Sequence, residues 1–573
     1  MPFVRAQALL TALLFAGSAW AGGATVPPSA GSDETSDDIP GELVVDFSDD
    51  TAPVAIGELF SRLSVSFVPT ALEPDTRVEL VRVALGRTDE VRALLEKDPR
   101  VEFVEPHARV RALFVPDDPL LKDQWHLSRV RAERAWDFST GRGVTVAVVD
   151  TGIACEKFGP FDKATDLAET RCEVGYNFVD KSPHANDDHG HGTHVAGTIA
   201  QSTNNGLGAA GMAFDARLLP VKVLNAAGSG TTSDVADGIR FAADHGAQVI
   251  NLSLGGPRNS KVLQKAIDYA RARGATVVAA AGNSGGRVGY PGASEGVIGV
   301  SALEPSDRLA WFSSRGPGVD LAAPGVDVIQ QTICNGGHDR CERFPSYNGT
   351  SMAAPHVAGA AALVVSLGVT APDAVERTLT KSARRLDASN GGRAEFGAGA
   401  LDAAAGLTRV ALERLLARLV ALWLVIFFTF RKLRREDPLL SPWTPGFLVP
   451  ALLAGPGLLF FAPFLLGRHN PMVDLLARPL PDWDILFGAS LHAYLPLGNA
   501  LLPFSLTLLL FGVRAFRPGL AGLAVGVAAY LASTAVLGGV HSPMGRFGFA
   551  LFAGVNAVLC LLLARLVLRE RSA

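Results

Sequence analysis

Five short stretches of the chain, Val144–Val149, Leu218–Leu224, Val249–Leu254, Thr276–Ala280 and Val297–Val300, are apolar at nearly every position. Between them, Ser233–His245 and Ser260–Arg273 repeat their apolar residues at helical spacing. A strand that is apolar on both faces must be covered on both, as in a parallel sheet flanked by helices. Residues 117–407 are therefore predicted to form a three-layer α/β domain with a mostly parallel sheet. Its ligand site is expected beyond the C-terminal ends of the strands. Residues 41–114 read differently: strand-like Glu42–Phe47 and Val101–Pro106 bracket a helical pattern at Asp89–Lys97, which predicts a small α+β unit.

Residues 411–573 hold five longer apolar stretches, Leu415–Phe430, Gly446–Leu466, Ile485–Gly512, Pro518–Val540 and Phe547–Leu568. Each approaches the roughly 20 residues that a membrane span needs, which predicts an all-α transmembrane region of about five helices. Arg431, Lys432, Arg434, Arg435, Arg514, Arg517, Arg569 and Arg571 fall on one side of such a bundle, and Arg468, Arg478 and Arg546 on the other. Basic loops stay cytoplasmic, so the α/β domain is expected outside the cytoplasm of a multi-pass cell-membrane protein. The N-terminus agrees. Arg5, the apolar Ala8–Ala16 and the small-x-small Ala19-Trp20-Ala21 read as a signal peptide over 1–21, and 22–40 as a flexible leader. An uncleaved anchor is the other reading of that run, which is short for a span.

Acidic residues number 56 against 52 basic ones, and no dense basic block stands away from the apolar helices, so charge gives no reason to expect a nucleic-acid partner. Cys155 with Cys172, and Cys334 with Cys341, are pairs close in sequence. In an oxidising compartment each pair fits a disulfide-closed loop, and each also fits free thiols, because short spacing does not by itself bring the Cα atoms together. Cys560 lies in an apolar stretch.

Chemistry concentrates in separated segments. The strand Val144–Val149 ends in Asp150-Thr151-Gly152; Asp188-His189-Gly190-His191-Gly192-Thr193-His194 opens a helix; and Asn348-Gly349-Thr350-Ser351-Met352-Ala353-Ala354-Pro355-His356 brings a serine into the first turn of another. A hydroxyl needs an adjacent base to become a nucleophile, and a buried carboxylate behind an imidazole fixes its tautomer. A serine at a helix N-terminus also offers its own N–H to a developing oxyanion. Asn283, in Ala279–Gly285, supplies a second donor. Taken alone, His184, His189, His191 and His194 with Asp187 and Asp188 resemble a metal cluster, Asp150 a strand-end cap and Ser351 a helix N-cap. None of these accounts for the other segments. His194 and His356 are expected to pack structurally. Ser490 with His492 or His541 lacks the glycine an intramembrane serine protease would place after the serine, since Leu491 stands there.

The order Asp…His…Ser, with D-T-G, H-G-T-H-V-A-G-T, A-A-G-N and G-T-S-M-A-x-P, resembles the subtilisin-like serine proteases over about Asp117–Leu407. The resemblance implies a serine endopeptidase working through an acyl-enzyme, with Asp150 orienting, His191 as base, Ser351 as nucleophile and Asn283 in the oxyanion hole. It implies extended polypeptide substrates lying along Ser253-Leu254-Gly255-Gly256 and Gly228-Ser229-Gly230, with Gly289 flooring an uncharged P1 pocket. Asn204–Gly208 is similar to a calcium loop of that family, which makes Asp118, Asp166 and Asn205 candidate calcium ligands. The unit at 41–114 resembles an inhibitory propeptide, implying an autoprocessed zymogen cut between about Arg111 and Asp118. The partners expected are thus substrate polypeptide, membrane lipid and the chain's own propeptide. The rival function is a peptide-binding or sensing membrane protein with an inactive protease fold.

Overall fold

The computed structural model describes residues 38–68, 77–84, 86–108, 115–333, 343–386, 392–436, 441–465 and 471–569. The signal peptide, most of the leader, the Cys334–Cys341 pair and residues 109–114 of the processing segment lie outside them. Chain contacts divide the molecule into two units, Met1–Ala112 and Leu113–Ala573.

In the first unit, strands β1 (Asp38–Phe47), β2 (Ser66–Val68), β3 (Val78–Arg82) and β4 (Val101–Ala108) form an antiparallel sheet in the order β2-β3-β1-β4. Helices α1 (Pro53–Leu63) and α2 (Thr88–Leu95) complete it. Leu43, Val45 and Phe47, alternate residues of β1, are buried with Ile56, Phe60, Val91 and Leu95. A single apolar face thus meets both helices. The two strands read from sequence are therefore half of a four-stranded sheet.

The second unit is built on a parallel sheet. Its strands are β5 (Thr145–Asp150), β6 (Arg217–Lys222), β7 (Val249–Leu252), β8 (Thr276–Ala280), β9 (Val297–Leu303) and β10 (Leu321–Pro324), in the order β10-β9-β8-β7-β5-β6, with short strands Arg171–Cys172 and Tyr176–Asn177 pairing β6. Val146 and Val148 of β5 pack towards α3 (His191–Ala200) and α6 (Thr350–Ser366). Ala147 and Val149 pack towards α4 (Thr232–Asp244) and α5 (Lys261–Ala272). This two-sided burial is why the strands read as unbroken apolar runs. From β5 the chain goes first to β6 on one side and later to β7 on the other, so the sheet order reverses at β5 and a crevice opens above it.

After α7 (Pro372–Ser382), helix α8 runs unbroken from Ala403 to Glu436. Its start belongs to the α/β core through Ala403, Leu407 and Val410, and its end to a second core through Leu422, Phe430 and Leu433. That second core centres on α11 (Arg517–Leu537), with α9 (Pro445–Ala454), α10 (Leu501–Leu510) and α12 (Gly545–Arg569) against it. Small residues allow the approach: a Cβ on Gly522 would stand 2.1 Å from the Phe447 carbonyl, and one on Gly526 2.5 Å from that of Ala451.

The stretches Gly446–Leu466 and Ile485–Gly512 are not continuous helices. The first breaks at Gly455-Pro456-Gly457 after ten helical residues, and the second is helical at length only over Leu501–Leu510. Proline removes a helical N–H and glycine favours the turn, overriding the apolar composition. Among the described residues, Arg514–Leu537 and Gly545–Arg569 are long and apolar enough to cross a membrane.

Candidate active site

Asp150 closes β5 and is fully buried. Its Oδ1 accepts the Thr151 N–H at 2.7 Å and lies 2.7 Å from His191 Nδ1. Its Oδ2, also buried, has no hydrogen-bond donor among the described residues. His191 is the first residue of α3. Gly190 before it has φ 98°, and a Cβ there would stand 2.4 Å from Thr332 Oγ1, so the turn into α3 admits only glycine.

Asp187 holds this corner together. Its Oδ1 accepts from Thr151 Oγ1 at 2.8 Å and from the N–H groups of His189 and Gly190 at 3.0 and 2.9 Å. Its Oδ2 accepts from Thr193 N and Oγ1 at 2.9 and 2.7 Å. The end of β5 and the start of α3 thus share one carboxylate. Beside it, the buried Lys222 ammonium donates to the Thr151 and Leu224 carbonyls and to Asp188 at 2.7, 2.8 and 2.6 Å. Burial alone would lower the His191 pKa, but the Asp150 charge and hydrogen bond, with help from Asp187, outweigh it and the net shift is upward.

Ser351 is the second residue of α6. Its Oγ donates to the Ser253 carbonyl at 3.1 Å, and Ser253 Oγ donates to the Ser351 carbonyl at 2.8 Å. The second bond replaces one that α6 lacks, because Pro355, four residues on, has no N–H to give that carbonyl. In this rotamer no hydrogen bond joins Ser351 to His191 among the described residues. Asn283 follows β8; its Oδ1 accepts from Thr350 N and Oγ1 at 2.9 and 2.8 Å. That leaves its Nδ2 turned towards Gly349. A Cβ on Gly349 would stand 3.4 Å from Asn283 Nδ2 and 3.6 Å from the Ser351 nitrogen, so two N–H donors flank a space that only glycine leaves open.

The candidate substrate residues surround this point. Gly256 and Tyr290 exchange both backbone hydrogen bonds at 2.8 Å, and a Cβ on Gly289 would lie 3.1 Å from the Gly256 carbonyl. Ser253, Leu254, Gly255, Gly256 and Gly289 therefore form one wall beside Ser351. Gly228, Ser229 and Gly230 form an exposed turn on the other side, where a Cβ on Gly228 would stand 3.3 Å from His189 Nε2.

The remaining candidates separate from the site. His126, His194 and His356 are buried; His126 Nδ1 and His356 Nε2 are 2.8 Å apart. Burial pushes His194 down to about 3 and His356 to about 4, so neither carries charge. Among the described residues no group of three or more His, Cys, Asp or Glu is placed to hold a metal. Asp118 and Asp166 are buried on either side of the Asn204–Gly208 loop: Asp118 Oδ2 accepts from Asn204 N at 2.7 Å and Asp166 Oδ1 from Asn205 Nδ2 at 2.9 Å. Among the described residues, no hydrogen-bond donor reaches the buried Asp118 Oδ1. Cys155 and Cys172 form a disulfide, with Cα atoms 6.1 Å apart.

Residues 141–399 match the Subtilase family, and residues 24–107 match the Fervidolysin N-terminal prodomain. A thermophilic serine proteinase of Bacillus sp. (strain AK1) is 38% identical over 349 residues, covering 60% of this chain and 83% of that protein. The chain belongs to the subtilase family. Another subtilase relative, thermitase of Thermoactinomyces vulgaris, is 41% identical over 273 residues, 47% of this chain and 92% of its own. A solved structure of a protease from Pseudoalteromonas arctica PAMC 21717 is 34% identical, with a TM-score of 0.48, covering 52% of this chain and 100% of that one. This subtilase is a serine endopeptidase with an N-terminal prodomain ahead of its α/β domain. The family match stops at residue 399, just before α8. Sequence motifs located Asp150, His191, Ser351 and Asn283; Asp187, Lys222 and the Ser253 hydroxyl went unassigned. Asp187 stood in view in the metal-cluster alternative, whereas Ser253 acts across 98 residues of sequence.

Proposed function

We propose that this subtilase is a membrane-tethered, exported endopeptidase that cleaves extended polypeptides through an acyl-enzyme on Ser351. The observation that carries the reading is the 2.7 Å Asp150–His191 pair at one rim of the crevice, with Ser351 and two convergent N–H donors at the other. Rotation of the Ser351 side chain away from Ser253 turns its hydroxyl to His191 Nε2. The imidazole takes that proton as Oγ attacks the scissile carbonyl, and the oxyanion settles between Asn283 Nδ2 and the Ser351 N–H. His191 then hands the proton to the departing amine, and water, deprotonated by the same nitrogen, releases the acyl group. Asp150 keeps the Nδ1 proton in place throughout. The substrate backbone adds as a strand along Ser253–Gly256, with Gly228–Gly230 as the opposite edge. Gly289, without side chain or charge, suits a large apolar P1 residue.

The prodomain acts as an intramolecular inhibitor, released by self-cleavage between about Arg111 and Asp118. Asp118, Asp166 and Asn205 would hold calcium through oxygen atoms, a role supported by the unpartnered buried oxygen of Asp118, and the ion would tie the segment at Asp118 to the Asn204–Gly208 loop. The helices from α8 onward tether the enzyme to a membrane with the α/β domain outside the cytoplasm. Outward-facing Leu508, Leu509, Phe547, Leu551, Val555 and Leu562, all 50–84% exposed, support a lipid-facing surface.

The test is labelling of the full chain with a serine-reactive fluorophosphonate. Labelling of the wild type and none of Ser351→Ala is the expected result. A wild type that folds, binds peptide and stays unlabelled would instead favour the inactive peptide-binding reading.

A further inference from the structure

We propose that the cavity where the α/β domain meets the helices binds the phosphate of an anionic phospholipid, an inference that rests on the membrane-tether reading above. The cavity holds about 290 Å³ and is lined by Arg377 and Lys381 of α7, Arg409, Glu413 and Arg414 of α8, and Leu537 at the end of α11. Glu413 accepts from Arg409 at 2.8 Å. Arg414 donates to the Leu367 and Gly368 carbonyls at 2.9 and 2.8 Å, and its charge is favoured by nearby Asp482. Arg377 and Lys381 form no ion pair among the described residues. With Glu413 matched by Arg409, Arg377 and Lys381 give the hollow an excess of positive charge.

The surroundings distinguish a lipid from a free anion. Leu412, Leu416, Val536 and Leu537 adjoin this hollow in sequence and are 46, 50, 83 and 43% exposed. Basic residues bordering an exposed apolar surface at the end of a bundle belong at headgroup depth. A phospholipid fills both features, its phosphate against the cations and its chains along the leucines and Val536. Inorganic phosphate uses only the first.

The full chain in non-ionic detergent is titrated with phosphatidylglycerol, phosphatidylcholine and inorganic phosphate, and bound lipid is counted by native mass spectrometry. Preferential retention of phosphatidylglycerol is expected, weakened about 25-fold in the exposed double variant Arg377→Gln/Lys381→Gln, roughly fivefold for each cation removed. Fluorophosphonate labelling of that variant should match the wild type, which shows that it folds. Equal phosphatidylglycerol binding by the variant, or equal retention of phosphatidylcholine by the wild type, overturns the site. Displacement of the lipid by inorganic phosphate assigns the hollow to a soluble anion and overturns it too. Failure of the tether reading shows separately, as recovery of the chain in the aqueous phase of a detergent-partition experiment.

Discussion

Asn283 divides its amide between two tasks. The oxygen is fixed by Thr350, and the nitrogen is thereby aimed at the space beside the Ser351 N–H. Asn283→Ala should lower kcat by about 10²–10³-fold with little change in KM, because the donor matters most once charge develops. In the proposed mechanism His191 carries the pH dependence. Its pKa lies above the ordinary 6.5, and only the neutral ring accepts the serine proton, so kcat/KM should fall on acidification from a point above 6.5. Asp150→Asn should move that limb to lower pH and reduce kcat by about 10⁴-fold. At the candidate calcium site, burial pushes Asp166 up from 3.8 to about 6. A carboxyl whose folded pKa is raised stabilises the fold at low pH, and that contribution disappears as pH rises through about 6. A bound cation compensates the charge that then appears. The rise in melting temperature given by calcium over a chelator should therefore be small at pH 5 and grow towards pH 7; a gain independent of pH would place the ion elsewhere.

Helix α6 links two halves of the molecule. Ser351 stands at its N-terminus, and at its C-terminus the Ser366 carbonyl accepts from Arg478 at 2.6 Å while Arg414 takes those of Leu367 and Gly368. Residues following the family match thus cap the helix that bears Ser351, the proposed nucleophile. Arg478→Ala removes a buried charged donor from Ser366 and the buried cation from Asp474, and should cost about 3–5 kcal/mol, seen as a lower melting temperature with unchanged kcat at permissive temperature. Elements differ in how far their residues announced them. The strands β5 to β9 were legible because burial on both faces leaves few polar positions. β10, Leu-Ala-Ala-Pro, was not, being short and ending in the residue that usually argues against a strand. The candidate catalytic residues were legible because each sits at the tip of an element, where motif and geometry coincide. The reciprocal Ser253–Ser351 bonds were not, since a missing N–H at Pro355 becomes visible only with its distant replacement.

At the scale of the whole molecule, the order of small α+β unit, α/β domain and helices followed from shifts in apolar spacing. The breaks within the helical region did not, because Gly455-Pro456-Gly457 interrupts a stretch whose mean composition still suits a span. The helices meet the α/β domain at the N-terminal ends of its strands: a Cβ on Gly143, ahead of β5, would stand 2.0 Å from the Ile485 carbonyl, and one on Gly274, ahead of β8, 2.6 Å from the His541 ring. The crevice lies at the opposite ends. Since α6 spans that interval with 17 residues, the scissile point is held about 25 Å from the junction. In the tethered enzyme proposed above, this separation would act as a ruler. A neighbour anchored in the same bilayer should then be cut only if it raises an unfolded stalk of at least about eight extended residues, and shorter juxtamembrane stubs should pass beneath the blade.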